Sequence, residues 1–139
     1  MKVYGTDGQP LTLSKGYCIV RRVYDANKRV VHEAYFDGNG LSVMSTDGYA
    51  SFDKEYDEAG NNTCMKVYGT DGQPLTLSKG YCIVRRVYDA NKRVVHEAYF
   101  DGNGRPVMSI DGYAAYDKEY DEAGQATVIK YDVNGDIIT

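Results

Sequence analysis

The sequence contains no tryptophan, two histidines, three cysteines and no apolar run approaching the length of a membrane-spanning helix. Such a helix needs about 18 or more consecutive apolar residues, so no membrane span is expected. The opening MKVYGTDG lacks the charged-then-apolar layout of a secretory leader, as a piece of a secreted protein also would. Cys18, Cys64 and Cys82 are odd in number and show no C-x-x-C spacing, which excludes a disulfide framework and a zinc site. They read as small buried hydrophobes. A net charge of −4 argues against a nucleic-acid partner, because such binders carry a basic face. Lys15 and Lys28-Arg29 are scattered by comparison. His32 and His96 are the only histidines, and each is expected across a hairpin from Arg22 or Arg86, a poor neighbour for a general base. No nucleophile accompanies them. The expectation is a non-enzymatic chain with no catalytic residues, no metal and no cofactor.

What the chain has in quantity is repetition. Residues 1–40 and 65–104 are identical at an offset of 64, and Gly16-Tyr17, Gly48-Tyr49, Gly80-Tyr81 and Gly112-Tyr113 fall every 32 residues. A period of this size marks a chain built by stacking one supersecondary unit, each too small to bury its own apolar face. The expected organisation is one continuous repeat domain: a partial unit over 1–15, units over 16–47, 48–79 and 80–111, and a shortened one over 112–139. Lys2–Gly5 reads as a lone strand without its hairpin partner. Either the chain is a segment of a longer array, or this N-terminal edge strand caps the stack or pairs with another chain by self-association. The first is favoured, since capping repeats usually differ from internal ones and residues 1–40 do not differ at all.

Each unit holds two β-rich runs, such as Tyr17–Tyr24 and Arg29–Phe36, joined by a short turn. In Tyr56-Asp57-Glu58-Ala59-Gly60 the aspartate suits the first position of a type I turn and Gly60 the left-handed residue of a bulge. Gly124 repeats this, whereas Lys28 and Lys92 occupy that position elsewhere, so either they or the preceding Asn27 and Asn91 must take the positive φ. A three-residue loop pairs Asp25 with Arg29, hence Arg22 with His32, Val20 with Ala34 and Cys18 with Phe36. On that register Cys18, Val20, Tyr24, Val30, Ala34 and Phe36 share a core face, matched by Ala50, Phe52, Tyr56, Cys64 and Tyr68. Tyr17, Ile19, Arg21, Val23 and Tyr35 would line the other.

Between hairpins lie segments rich in Gly, Asn, Asp and Pro, with Val43, Leu75 and Val107 at one register expected to tuck under neighbouring hairpins. Asp37-Gly38-Asn39-Gly40 and Asp132–Asp136 begin like calcium loops. They lack the bidentate carboxylate at the twelfth position, which for Asp37 falls on Gly48, and read as tight turns. No stretch carries helical periodicity of useful length. The fold class expected is all-β: tandem β-hairpins stacked as a solenoid-like array.

Tyrosine is the strongest compositional signal, at 14 residues. Tyr24, Tyr56, Tyr88 and Tyr120 form one register, and Phe36, Tyr68 and Phe100 another, both read as packing ladders. Tyr17, Tyr49, Tyr81 and Tyr113 form a third on the opposite face, joined by Tyr35 and Tyr99. These six are the candidate ligand-binding residues, because rows of partly exposed aromatics can stack on sugar rings or meet a protein; Gly-Tyr at a strand start is equally a packing device.

Tyr35-Phe36-Asp37-Gly38-Asn39-Gly40, with Met44 and Gly48-Tyr49, resembles the choline- and glucan-binding cell-wall repeats of bacterial surface proteins. Tyr99–Gly104 with Met108 and Gly112-Tyr113 matches equally. Tyr-Asp-x-x-Gly at Tyr56–Gly60 and Tyr120–Gly124 is similar to the Rhs/YD repeats. The resemblance implies a bacterial surface or secreted hairpin repeat, extracellular, with a glycan or cell-wall polymer as partner. A structural spacer or self-assembly repeat, or an engineered array with no ligand, stays open beside it.

Overall fold

The structure is a computed structural model and describes residues 19–138. These form eight antiparallel strands in one open sheet, with no helix among the described residues. In chain order they are β1 (Ile19–Tyr24), β2 (Val30–Phe36), β3 (Ser51–Tyr56), β4 (Asn62–Tyr68), β5 (Ile83–Tyr88), β6 (Val94–Phe100), β7 (Ala115–Tyr120) and β8 (Ala126–Tyr131). Strand order in the sheet follows chain order throughout, and each strand pairs through its backbone only with the strands next to it in sequence.

The hairpin turns form where the aspartates stand. Asp25 N donates to Arg29 O at 2.9 Å, and Lys28 N to Asp25 O at 3.0 Å. The Asp25 carboxylate accepts from the backbone N–H groups of Asn27 and Arg29, at 2.8 and 3.0 Å. Such Asx bonds are why aspartate opens tight turns, and they hold the Asp25 carboxyl below its usual range, the Arg29 N–H contributing most. Asp57, Asp89 and Asp121 repeat the arrangement. Asp37, Asp101 and Asp132 do so in the segments read as tight turns. The positive φ falls on Lys28 (64°) and Lys92 (63°), not on the asparagines, and on Gly60 and Gly124 elsewhere.

The register differs from the sequence reading by one residue. Asp25 and Arg29 do pair, and Tyr24 faces Val30, but the ladder then slips so that Val23 faces His32. Val31 is the additional residue, a bulge that moves the rest of β2 to the opposite side of the sheet. Val20 therefore faces Tyr35, Arg21 faces Ala34, Arg22 faces Glu33, and Phe36 lies opposite Ile19. The expected pairs Arg22–His32 and Val20–Ala34 do not form, and the expected core face is split: Val20, Tyr24 and Val30 stand on one side, Ala34 and Phe36 on the other. Cys18 and Tyr17 lie outside the described residues. Asn62 and Cys64 bracket the same slip in β4, and Val94 and His96 in β6, while β7 and β8 pair without one.

The corrected core is Val20, Tyr35, Phe52 and Val67 on one face, joined by Cys64, Cys82 and Ile83. Val43 and Leu75 pack against it, as expected for residues tucked beneath hairpins. Cys64 and Cys82 are buried and unbonded to each other. After β2, β4, β6 and β8 the chain turns back and bridges its own strand end, Phe36 to Ser42, Tyr68 to Pro74, Phe100 to Pro106 and Tyr131 to Ile137. A second turn, closed by Gly48 N to Ser45 O at 3.0 Å and its counterparts at Gly80 and Gly112, then lays Tyr49, Tyr81 or Tyr113 over the Val20 face. These segments are called flaps below. One touches the next, Ile110 N donating to Lys79 O at 2.9 Å.

Candidate functional site

Because consecutive strands repeat one register, each flap tyrosine lands beside the tyrosine of an even-numbered strand. Tyr49 meets Tyr35 at 6.2 Å between ring centroids and Phe52 edge-on at 5.8 Å. Tyr81 stacks on Tyr99 at 4.6 Å, Tyr99 meets Tyr113 at 5.9 Å, and Tyr113 meets Tyr116 edge-on at 5.9 Å. Five of the six candidate tyrosines thus lie on one face in two clusters; the sixth, Tyr17, falls outside the described residues. Tyr35 and Tyr99 are 3% and 5% exposed, so they form the floor and present no free ring face. Tyr49, Tyr81 and Tyr113 are half-buried.

Charged side chains surround these rings, and most went unnoticed in the sequence. Arg22 bonds Glu33 across the β1–β2 hairpin at 2.5 Å, and Glu33 also accepts from the Tyr35 hydroxyl at 2.5 Å. Burial alone would raise the Glu33 carboxyl, but the bonds from Tyr35 and Arg22 hold it below its usual range. Arg86, Glu97 and Tyr99 repeat this triad, with Arg86 to Glu97 at 2.5 Å and the Tyr99 hydroxyl donating to Glu97. Burial is the largest influence on Arg86 and opposes its charge, but the bond and negative charge of Glu97, with smaller help from Tyr88 and Tyr81, together raise its pKa. Lys54 and Lys118 occupy the register of Arg22 and Arg86, but face Met65 and Val128 instead of glutamate. Their ammonium groups lie over the rings of Phe52 at 4.8 Å and Tyr116 at 5.4 Å. Arg22, Lys54, Arg86 and Lys118 stand 32 residues apart. That spacing was the available signal, and the misplaced register hid it by putting Tyr35 on the other face.

Over β5 to β8 the clustered rings border a cleft of about 600 Å³. Its walls include Tyr81, Tyr99, Tyr113 and Tyr116. Burial raises the hydroxyls of Tyr81 and Tyr116, the latter to about 12, and burial together with Glu97 pushes Tyr99 up as well. At neutral pH all three remain protonated; the Tyr99 hydroxyl is spent on Glu97, so the donors the cleft offers are those of Tyr81 and Tyr116.

The opposite face carries the histidines. His32 Nδ1 donates to Asp53 at 2.6 Å, and the Tyr68 hydroxyl donates to the same carboxylate at 2.8 Å. His96, Asp117 and Tyr131 repeat the cluster at 2.6 and 2.7 Å. His32 thus neighbours an aspartate, not Arg22 as its expected pairing implied. Both imidazoles are exposed at about 39% of side-chain area, and each bonds an aspartate that also accepts from a tyrosine hydroxyl. Among the described residues no three His, Cys, Asp or Glu side chains gather to hold a metal, and no helix is long and apolar enough to cross a membrane. No protein-family model matches the chain, and no curated protein does.

Proposed function

We propose that this chain is a non-catalytic repeat module of a bacterial surface or secreted protein that holds cell-wall or other glycans on its tyrosine face. The observation that carries the reading is the cleft of about 600 Å³ bordered by Tyr81, Tyr99, Tyr113 and Tyr116, a volume ordinary for small-molecule sites. Tyrosine hydroxyls along its walls beside Tyr99, whose own hydroxyl is engaged by Glu97, can donate to a polyhydroxylated ligand. A stack of 32-residue hairpin units, paired into 64-residue double units, belongs to the same reading. It is supported by backbone pairing between sequential strands and by the recurrence of the turn aspartates. Copies of one weak site along such a stack would sum by multivalency.

The mode of contact changes from the sequence expectation. Sugar rings would meet tyrosine edges and hydroxyls more than open ring faces, because Tyr81 already stacks on Tyr99. A structural-spacer reading draws on the same burial: Tyr35 and Tyr99 serve packing first. Calorimetric titration with solubilised cell-wall polysaccharide separates the two. The glycan reading expects saturable binding, lost when Tyr49, Tyr81 and Tyr113 become Ala, in a protein whose sheet still forms by circular dichroism. Absence of binding at millimolar sugar, with only the unfolding midpoint lowered by those substitutions, would leave the spacer.

A further inference from the structure

The cleft over β5 to β8 carries charge opposite to that of the whole chain. The protein is acidic, at −4, yet four cations (Lys79, Arg86, Lys118, Lys130) meet two carboxylates (Glu97, Asp111) around this cleft. The glutamate is already matched. It accepts from both Arg86 and Tyr99, so that hairpin's charges are internally satisfied. Among the described residues Lys79, Lys118 and Lys130 take part in no ion pair.

Two of those three stand close together by register. Lys130 of β8 faces Tyr116 of β7, and Lys118 is the next same-face residue along β7. Diagonal neighbours on one face of an antiparallel pair lie about 7–8 Å apart. Across the β7–β8 pair Lys118 faces Val128 and Lys130 faces Tyr116, and Glu97, opposite Tyr116 on β6, already accepts from Arg86 and Tyr99, so an anion between the two lysines would be held by both charges. Both are splayed over rings: Lys130 Nζ lies 4.9 Å from the Tyr113 centroid and Lys118 Nζ 5.4 Å from that of Tyr116. Aromatic faces steady cations without neutralising them.

Lys130 also departs from the pattern of the sheet. Its register equivalent in β4, opposite Phe52 as Lys130 is opposite Tyr116, is Val67, which is 1% exposed and packed in the core. A lysine at a position otherwise used for burial makes this stretch of β8 a poor seat for an apolar cover. It makes it a suitable wall for a charged ligand.

Resting on the glycan reading above, we propose that this cleft selects acidic saccharides, with a uronate-type carboxylate held by Lys118 and Lys130, Lys79 closing from the flap, and neutral hydroxyls met by Tyr81, Tyr113 and Tyr116. Single-stranded nucleic acid combines anionic and aromatic groups too, but it needs open ring faces for base stacking. Here Tyr81 lies on Tyr99, and Lys130 lies over Tyr113.

The test uses the full chain and two trisaccharides of similar size, trigalacturonate and cellotriose, with an oligothymidylate as a third probe. Trigalacturonate is expected to bind about tenfold tighter than cellotriose or more, and the pair Lys118→Gln with Lys130→Gln to erase that advantage, a change equivalent to about 1.4 kcal/mol. Raising salt from about 0.05 M to about 0.5 M should weaken trigalacturonate and leave cellotriose unaltered. Arg105→Gln, at an exposed turn whose side chain makes no contact with the cleft, should bind as the parent does. Equal binding of the two sugars, unaffected by the lysine substitutions, would overturn charge selection while leaving glycan binding in place. No binding of trigalacturonate at millimolar concentration, or tighter binding of oligothymidylate than of either sugar, would overturn the proposal outright.

Discussion

Lys28 and Lys92 hold φ near +64° and +63°, where a side chain with a Cβ atom is strained and glycine is not. Their counterparts in the other hairpins, Gly60 and Gly124, relieve that strain at the same turn position. The Asp25 and Asp89 carboxylates stabilise the strained turns by accepting the N–H groups of Arg29 and Arg93, and a second oxygen of each binds the arginine Nε. Arg93 then lies over the Tyr120 ring at 4.3 Å, tying the β5–β6 hairpin to the next hairpin, β7–β8. Replacing both lysines by glycine (Lys28→Gly, Lys92→Gly) should therefore raise stability, despite the greater freedom glycine gives the unfolded chain. The expected gain is about 0.5–1 kcal/mol per site, read from the urea midpoint. A lower midpoint would mean that lysine is favoured there by contacts the backbone argument omits.

The hairpin was legible in the sequence, because aspartate at the first turn position and glycine or lysine three residues later state its geometry locally. The one-residue slip at Val31 was not. Nothing in Val30-Val31 says which valine will be left out of the ladder, since both suit a strand, and the choice is made by packing. That single residue decided whether Tyr35 belonged with Val20 or against it. It thereby concealed the Arg22–Glu33–Tyr35 triad, whose members seemed to lie on different faces. The six candidate tyrosines were found for a sound reason, their shared register, but their burial was invisible because the flaps that cover them have no periodic signature.

Elements also meet end to end through the turns that follow the even strands. A Cβ atom on Gly102 would come within 2.5 Å of Pro74 Cβ, in the turn after the preceding even strand. These two turns are packed too closely for a side chain at Gly102, with Cys82 Sγ also nearby at 3.9 Å. Gly102→Ala should cost about 1–3 kcal/mol, as overpacking in a tight contact does. Pairing it with Pro74→Gly, which removes the clashing atom, should recover part of that loss beyond the sum of the single effects. Simple additivity in the double variant would show that the two turns do not bear on each other.

At the scale of the molecule, eight strands in chain order make an assembly without long-range closure: each is held by the strand before and the strand after. The buried residues are concentrated at β1 to β6, whereas Val128 in β8 is 43% exposed. Such a chain should respond locally to damage, as quasi-one-dimensional arrays do. Val67, in the middle of the sheet and 1% exposed, is the place to inflict it. Val67→Ala removes two methyl groups from the core and should cost on the order of 2 kcal/mol. Residue-resolved amide hydrogen exchange on that variant is the most direct measurement. Neighbour-by-neighbour support predicts faster exchange in β3, β4 and β5 with β7 and β8 unchanged from the parent. Equal acceleration across all eight strands would reveal a single cooperative globule and contradict it.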